Sequence, residues 1–148
     1  MSLAFDQQTL SKGKKMVTSK TILVVEDDAA LRLVVKKALE MYGYTVIPAE
    51  DSIIANAFTR LHGGIVDLLL ADIDLPGLTG GEYAAFLKSI NSNLKVLYMS
   101  GAPADSLVRQ HLRNKTATFI QKPFSNQELV LAVKKALGEI PNLPEDGD

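Results

Sequence analysis

The run "LLLADIDLPG", residues 68–77, carries four apolar residues straight into Asp72 and Asp74. A second acidic group, Glu26, Asp27 and Asp28, follows the apolar run "TILVV" at 21–25. Ser100 stands just past "KVLYM" (95–99), and Lys122 just past "ATFIQ" (117–121). Acids gathered at one place repel: a pair of unit charges about 4 Å apart costs about 4 kcal/mol at an effective dielectric near 20. Such a cluster calls for a cation. Oxygen ligands without cysteine or histidine favour a hard ion, Mg²⁺ or Mn²⁺. Mg²⁺ uses one or two carboxylates and leaves an acid for other work. Asp72 is then a candidate nucleophile for a phosphoryl group, because carboxylates form aspartyl-phosphates. The metal and Lys122 would neutralise the transferring group, and the Ser100 hydroxyl would hydrogen-bond a phosphate oxygen.

For these side chains to meet, the chain must bring four distant segments to one edge. The apolar runs at 21–25, 67–71, 95–99 and 117–120 are continuous rather than alternating, which predicts strands buried on both faces of a parallel sheet. "YTVIPA" (44–49) is a weaker run, and Pro48 suits an edge strand. Helical spacing fills the gaps. Leu31, Val34, Val35, Ala38, Leu39 and Tyr42 make one stripe, closed by Gly43. Ile53, Ile54, Ala57, Phe58 and Leu61 make a second, ended by Gly63 and Gly64. Tyr83, Phe86, Leu87 and Ile90 make a third, of which Tyr83, Phe86 and Leu87 are read as core. Leu107, Val108 and Leu112 make a poorer fourth. The fifth begins at a capping-box signature, Ser125 and Glu128, and runs through Leu129, Val133, Ala136 and Leu137 to Gly138.

The pattern is a (βα)5 doubly wound α/β domain with a five-stranded parallel sheet. Ligands of such sheets bind at the carboxyl ends of the strands, where the acids, the serine and the lysine lie. Residues 21–138 form the domain. Residues 1–20, basic through Lys12, Lys14, Lys15 and Lys20, read as a flexible leader, and 139–148 as a solvated tail.

The totals exclude several classes. The chain has 148 residues, 47% hydrophobic and 22% charged, which suits one domain with a real core. Its net charge of −1 gives no bulk attraction to nucleic acid or to an anionic membrane. No apolar run approaches the roughly 18 residues of a membrane span. Cysteine is absent, so disulfides and thiolate metal sites are excluded, in keeping with a cytoplasmic location. His62 and His111 stand alone without metal-ligand spacing. Asp28 opens "DAAL", which predicts a helix N-cap, with a place in the metal shell as the alternative.

At "ILVVEDD", "DIDLPGLTG", "YMSGAP" and "QKPF" the sequence resembles the receiver domain of two-component response regulators, over roughly residues 20–138. The resemblance implies the flavodoxin-like strand order 2-1-3-4-5 and phosphorylation of Asp72. It implies Asp27 as direct Mg²⁺ ligand beside Asp72, Glu26 acting through water, and the Asp74 backbone carbonyl completing the protein's share. It makes Lys122 the partner of the acceptor and the phosphoryl group, with a cis bond before Pro123. Ser100 and Phe119 become the switch pair, coupled to a partner-binding face of the fourth helix, fifth strand and fifth helix. The implied partners are a histidine kinase or phosphotransfer protein upstream and a downstream protein, with no direct nucleic acid, and homodimerisation through the fourth and fifth helices as an option.

Ser100 and Phe119 stand where threonine and tyrosine are commoner in that family. The Asp74 side chain can line the pocket, so Asp74→Asn is expected to alter the lifetime of a phosphorylated state. "KVLYMSG" is similar to receivers of hybrid kinases, and about ten residues after the last helix leave no room within this sequence for an output domain. The competing enzyme reading takes "DID" as the D-x-D of haloacid-dehalogenase-like phosphatases. That motif normally follows the first strand, which here already ends in acids. A degenerate receiver that only docks partners would lack site residues that are all present.

Overall fold

Four continuous apolar runs and the weaker "YTVIPA" become five strands: β1 (Thr21–Val25), β2 (Thr45–Ala49), β3 (Leu68–Asp72), β4 (Lys95–Ser100) and β5 (Thr118–Gln121). Between and after them lie α1 (Ala29–Met41), α2 (Ser52–Leu61), α3 (Gly80–Ile90) and α4 (Asn126–Ala136), the last being the fifth helix of the sequence pattern. The computed structural model describes residues 19–61, 63–73, 80–103, 106 and 118–139. The leader before residue 19, His62, Asp74, the expected fourth helix with Leu107, Val108, His111 and Leu112, and the tail from residue 140 lie outside these described residues.

The strands form one parallel sheet in the order β2-β1-β3-β4-β5. Its two faces explain why the strands are apolar throughout. Ile22, Val24, Leu68, Leu70, Leu97 and Met99 pack on one side with Val35, Leu39, Leu129 and Val133 of α1 and α4. Leu23, Val25, Leu69, Ala71 and Tyr98 pack on the other with Ala55 of α2 and Tyr83, Ala84 and Leu87 of α3. Successive strand residues alternate between the two layers, and each layer needs an apolar partner. Pro48 lies on β2, an edge strand, where its missing N–H leaves no gap in the ladder.

Local signals set the helix ends. Asp28 caps α1, its Oδ1 accepting from the Ala30 and Leu31 amides at 3.0 and 3.1 Å. Gly43 follows α1 with φ +94°, a conformation that side chains beyond glycine rarely adopt. Ser125 and Glu128 form the expected capping box of α4, at 3.0 Å and 2.8 Å.

Three helices differ from the sequence pattern. On α1, Val35, Ala38 and Leu39 are buried as expected, whereas Val34 and, at the helix end, Tyr42 are exposed. Of the expected α2 stripe, Ile54 packs partly on the core, whereas Ile53, Ala57 and Leu61 face solvent, and the helix buries Ser52, Ala55 and Thr59. The opposing sheet surface is already filled by Leu23, Val25 and Ile47, so small residues allow close approach. Thr59 satisfies its buried hydroxyl by donating to the Ala55 carbonyl at 2.6 Å. On α3, Tyr83 and Leu87 are core as expected, whereas Phe86 and Ile90 of the same stripe are exposed.

Candidate functional site

Parallel register builds the site. Val25 pairs with Ala71, so Glu26 and Asp72 are the next residues on neighbouring strands. Both continue the alternation of the same face, Glu26 after Ile22 and Val24, and Asp72 after Leu68 and Leu70. Asp72 in turn pairs with Met99, and Ser100 with Gln121, which sets Lys122 at the end of β5 on the same edge. The Lys122 amide donates to the Ser100 carbonyl at 2.8 Å, tying these two strand ends together. The Lys122–Pro123 peptide is cis, as expected.

Lys122 lies between two acids. Its Nζ donates to Glu26 Oε1 and to Asp72 Oδ2, each at 2.8 Å. Glu26 is 1% exposed. Carboxylate oxygens of Glu26, Asp27 and Asp72 lie within 4.8 Å of one another, Asp27 being the exposed member. Three carboxylates and one ammonium leave two negative charges unbalanced among these four groups. Burial raises the Glu26 carboxyl above its ordinary range, and the charge of Asp72 adds to this, against hydrogen bonds from Lys122 and the Asp28 amide. Burial would lower the Lys122 ammonium, but hydrogen bonds to Asp72 and Glu26 outweigh it and hold the group above its usual value. An all-oxygen, net-negative donor set of this kind fits Mg²⁺ or Mn²⁺.

Ser100 is buried at the end of β4, its Oγ accepting from the Ala102 amide at 3.0 Å. Phe119 is half-buried with its ring 5.6 Å from that of Tyr98. Asp28, at the alternative of cap or metal shell, is engaged as the cap. Asp74 lies outside the described residues, so its carbonyl has no described position.

Two contacts were missed by sequence reasoning. Glu26 meets Lys122 directly, an ion pair that the sequence reading did not foresee. Arg32, on the first turn of α1, donates from Nη1 to the Glu26 carbonyl at 2.7 Å. The available signal was its placement one helical turn after the capping Asp28, which aims a long cation back at the acidic loop. Together with the Glu26 Oε2 bond from the Asp28 amide at 3.0 Å, it braces the loop that carries Asp27.

Among solved structures, the receiver domain protein (CheY-like) from Methanospirillum hungatei JF-1 superposes with a TM-score of 0.71 at 27% identity, over 82% of this chain and 96% of that one. Among curated proteins, the response regulator receiver protein CpdR of Brucella abortus (strain 2308) is 35% identical over 80% of this chain and 97% of its own length. The sensor kinase CckA of the same organism is 30% identical over 91% of this chain, which spans only 14% of that protein. Residues 22–134 match the family described as response regulator receiver domain. With the sheet order, the acidic edge and these matches together, the chain belongs to the response regulator receiver domain family of two-component signalling.

Proposed function

We propose that this receiver takes a phosphoryl group on Asp72, from a histidine kinase or phosphotransfer protein, and that the modification switches a partner-binding face. The observation that carries the reading is Lys122 Nζ at 2.8 Å from both Asp72 Oδ2 and Glu26 Oε1, beside Asp27. A carboxylate oxygen of Asp72 attacks phosphorus. The new P–O bond forms as the P–N bond of a phosphohistidine donor breaks, and the leaving imidazole keeps the electron pair and gains a proton. Lys122 holds the acceptor carboxylate in place and balances charge on the transferring oxygens. Asp27, Asp72, the Asp74 carbonyl and, through water, Glu26 would hold Mg²⁺, which when bound supplies further charge neutralisation on the phosphoryl oxygens.

Ser100 then donates to a phosphate oxygen, and Phe119 moves inward behind it, carrying the change to β5 and the flanking helices. The chain is not a turnover enzyme in this reading; it catalyses only its own phosphorylation and dephosphorylation. A cytoplasmic location accords with such a partner, and no helix among the described residues is long and apolar enough to cross a membrane.

The test is incubation with Mg²⁺ and acetyl phosphate, followed by intact mass. A single phosphate adduct that disappears in Asp72→Asn supports the reading. An adduct that persists in that variant, or none with the unaltered chain, refutes it.

A further inference from the structure

Helix α2 is apolar on the side away from the sheet. Ile53, Ala57 and Leu61 recur every four residues, which sets them on one face at 3.6 residues per turn. Ile53 and Leu61 are 77% and 81% exposed, and Phe58 beside them is 37% exposed. The buried side of the helix is Ser52, Ala55 and Thr59, so this outer stripe is not the core stripe. The neighbouring α3 continues the surface. Tyr83 of α3 reaches Asn56 of α2 at 3.4 Å, and Phe86 and Ile90, one and two turns further along the flank of Tyr83, are 45% and 70% exposed. An exposed apolar surface that runs over two neighbouring helices marks an interaction site.

We propose that α2 is a self-association surface, on which two copies of this chain pack antiparallel about Ala57. The residue pattern selects the occupant. Ile53 and Leu61 stand four residues either side of a small residue, so the stripe reads large, small, large in both directions. An antiparallel pairing therefore sets Ile53 against Leu61 of the second copy, twice, and lets the two helices approach closely at Ala57. That is the self-complementarity that a two-fold contact requires. Arg60 is the sole charged residue within α2, and the chain as a whole carries only −1, so little like-charge repulsion opposes the contact. Ile53, Phe58, Leu61, Phe86 and Ile90 make a patch smaller than the ~800 Å² per partner of a standard interface. This predicts a reversible dimer with a Kd on the order of micromolar. The surface is separate from the β5 and α4 face that is assigned to signalling partners, and its test does not depend on phosphorylation.

The experiment is sedimentation velocity of the full chain from roughly 5 to 500 μM, a range that brackets a micromolar Kd. The unaltered chain is expected to shift from monomer to dimer, and Ile53→Glu with Leu61→Glu to remain monomeric with unchanged thermal unfolding at the lowest concentration. The chain has no cysteine, so Ala57→Cys reports this contact alone. It is expected to form an interchain disulfide under mild oxidation, whereas Lys37→Cys, on the exposed side of α1, is not. A monomer throughout the range, a dimer that survives both glutamates, or cross-linking at Ala57 no greater than at Lys37 would overturn the proposal; the first would assign the face to a different protein.

Discussion

Glu26 and Lys122 are 96 residues apart in the chain and joined by a 2.8 Å ion pair, with Asp72 on the same ammonium. Glu26 is almost fully buried, and the side chain of Asp72 is 12% exposed. Neither carboxylate has bulk water to replace the lysine. In Lys122→Ala the three acids face one another without the ammonium that joins Glu26 and Asp72. Removing one partner of a buried pair costs about 3 to 5 kcal/mol. The expected result is a large fall in urea midpoint in metal-free buffer, with partial recovery on adding Mg²⁺. An unchanged midpoint would show that the acids are already compensated elsewhere.

Glu26→Gln keeps the shape and one acceptor but removes a charge from the cluster. If Glu26 supports a cation through water, affinity for Mg²⁺ falls roughly 10- to 100-fold, the usual loss for a supporting residue of a metal site. Calorimetric titration of Mg²⁺ into the unphosphorylated chain reads this directly. Equal affinity in the variant would confine Glu26 to holding Lys122.

Tyr83 is buried, and burial pushes its phenol up to about 12. The unfolded phenol titrates near ~10, so folding favours the neutral form. The contribution is fully present below about pH 10 and is lost as pH rises through the folded value. Tyrosinate absorbance followed together with circular dichroism should show late ionisation that coincides with unfolding between about pH 10 and 12. In Tyr83→Phe the unfolding edge should move to higher pH; ionisation of all tyrosines near pH 10 in a folded chain would contradict this.

Ser125 accepts from the Glu128 amide at 3.0 Å while the Glu128 side chain accepts from the Ser125 amide at 2.8 Å. Ser125→Ala breaks one half of this box and should destabilise the domain by about 1 kcal/mol. Because the capping Ser125 lies three residues after Lys122, the same variant tests whether the cap also steadies the lysine. Urea unfolding gives the stability, and the acetyl phosphate reaction gives the effect on the site.

Much of the fold was legible in local sequence. The four continuous apolar runs, the capping residues Asp28 and Ser125, and Gly43 after α1 are short-range signals, because propensity, capping and alternation act over a few residues. Pro48 correctly marked the edge strand for the same reason. The α2 stripe was less legible. That helix carries a bulky face and a small face, and either satisfies helical spacing; only the filled sheet surface of Leu23, Val25 and Ile47 selects the small one.

By itself the sequence determined which residues end the strands, and so which groups reach the carboxyl edge: Glu26, Asp27, Asp72, Ser100 and Lys122. Their types fit the hard cation and carboxylate nucleophile of the proposed function. The tertiary structure decided how they meet. That Lys122 bridges Glu26 and Asp72, that Arg32 braces the Glu26 carbonyl, and that Ile53 and Leu61 stand in solvent are consequences of strand register and of packing volume. Register and volume depend on residues far apart in sequence, and no local pattern encodes them.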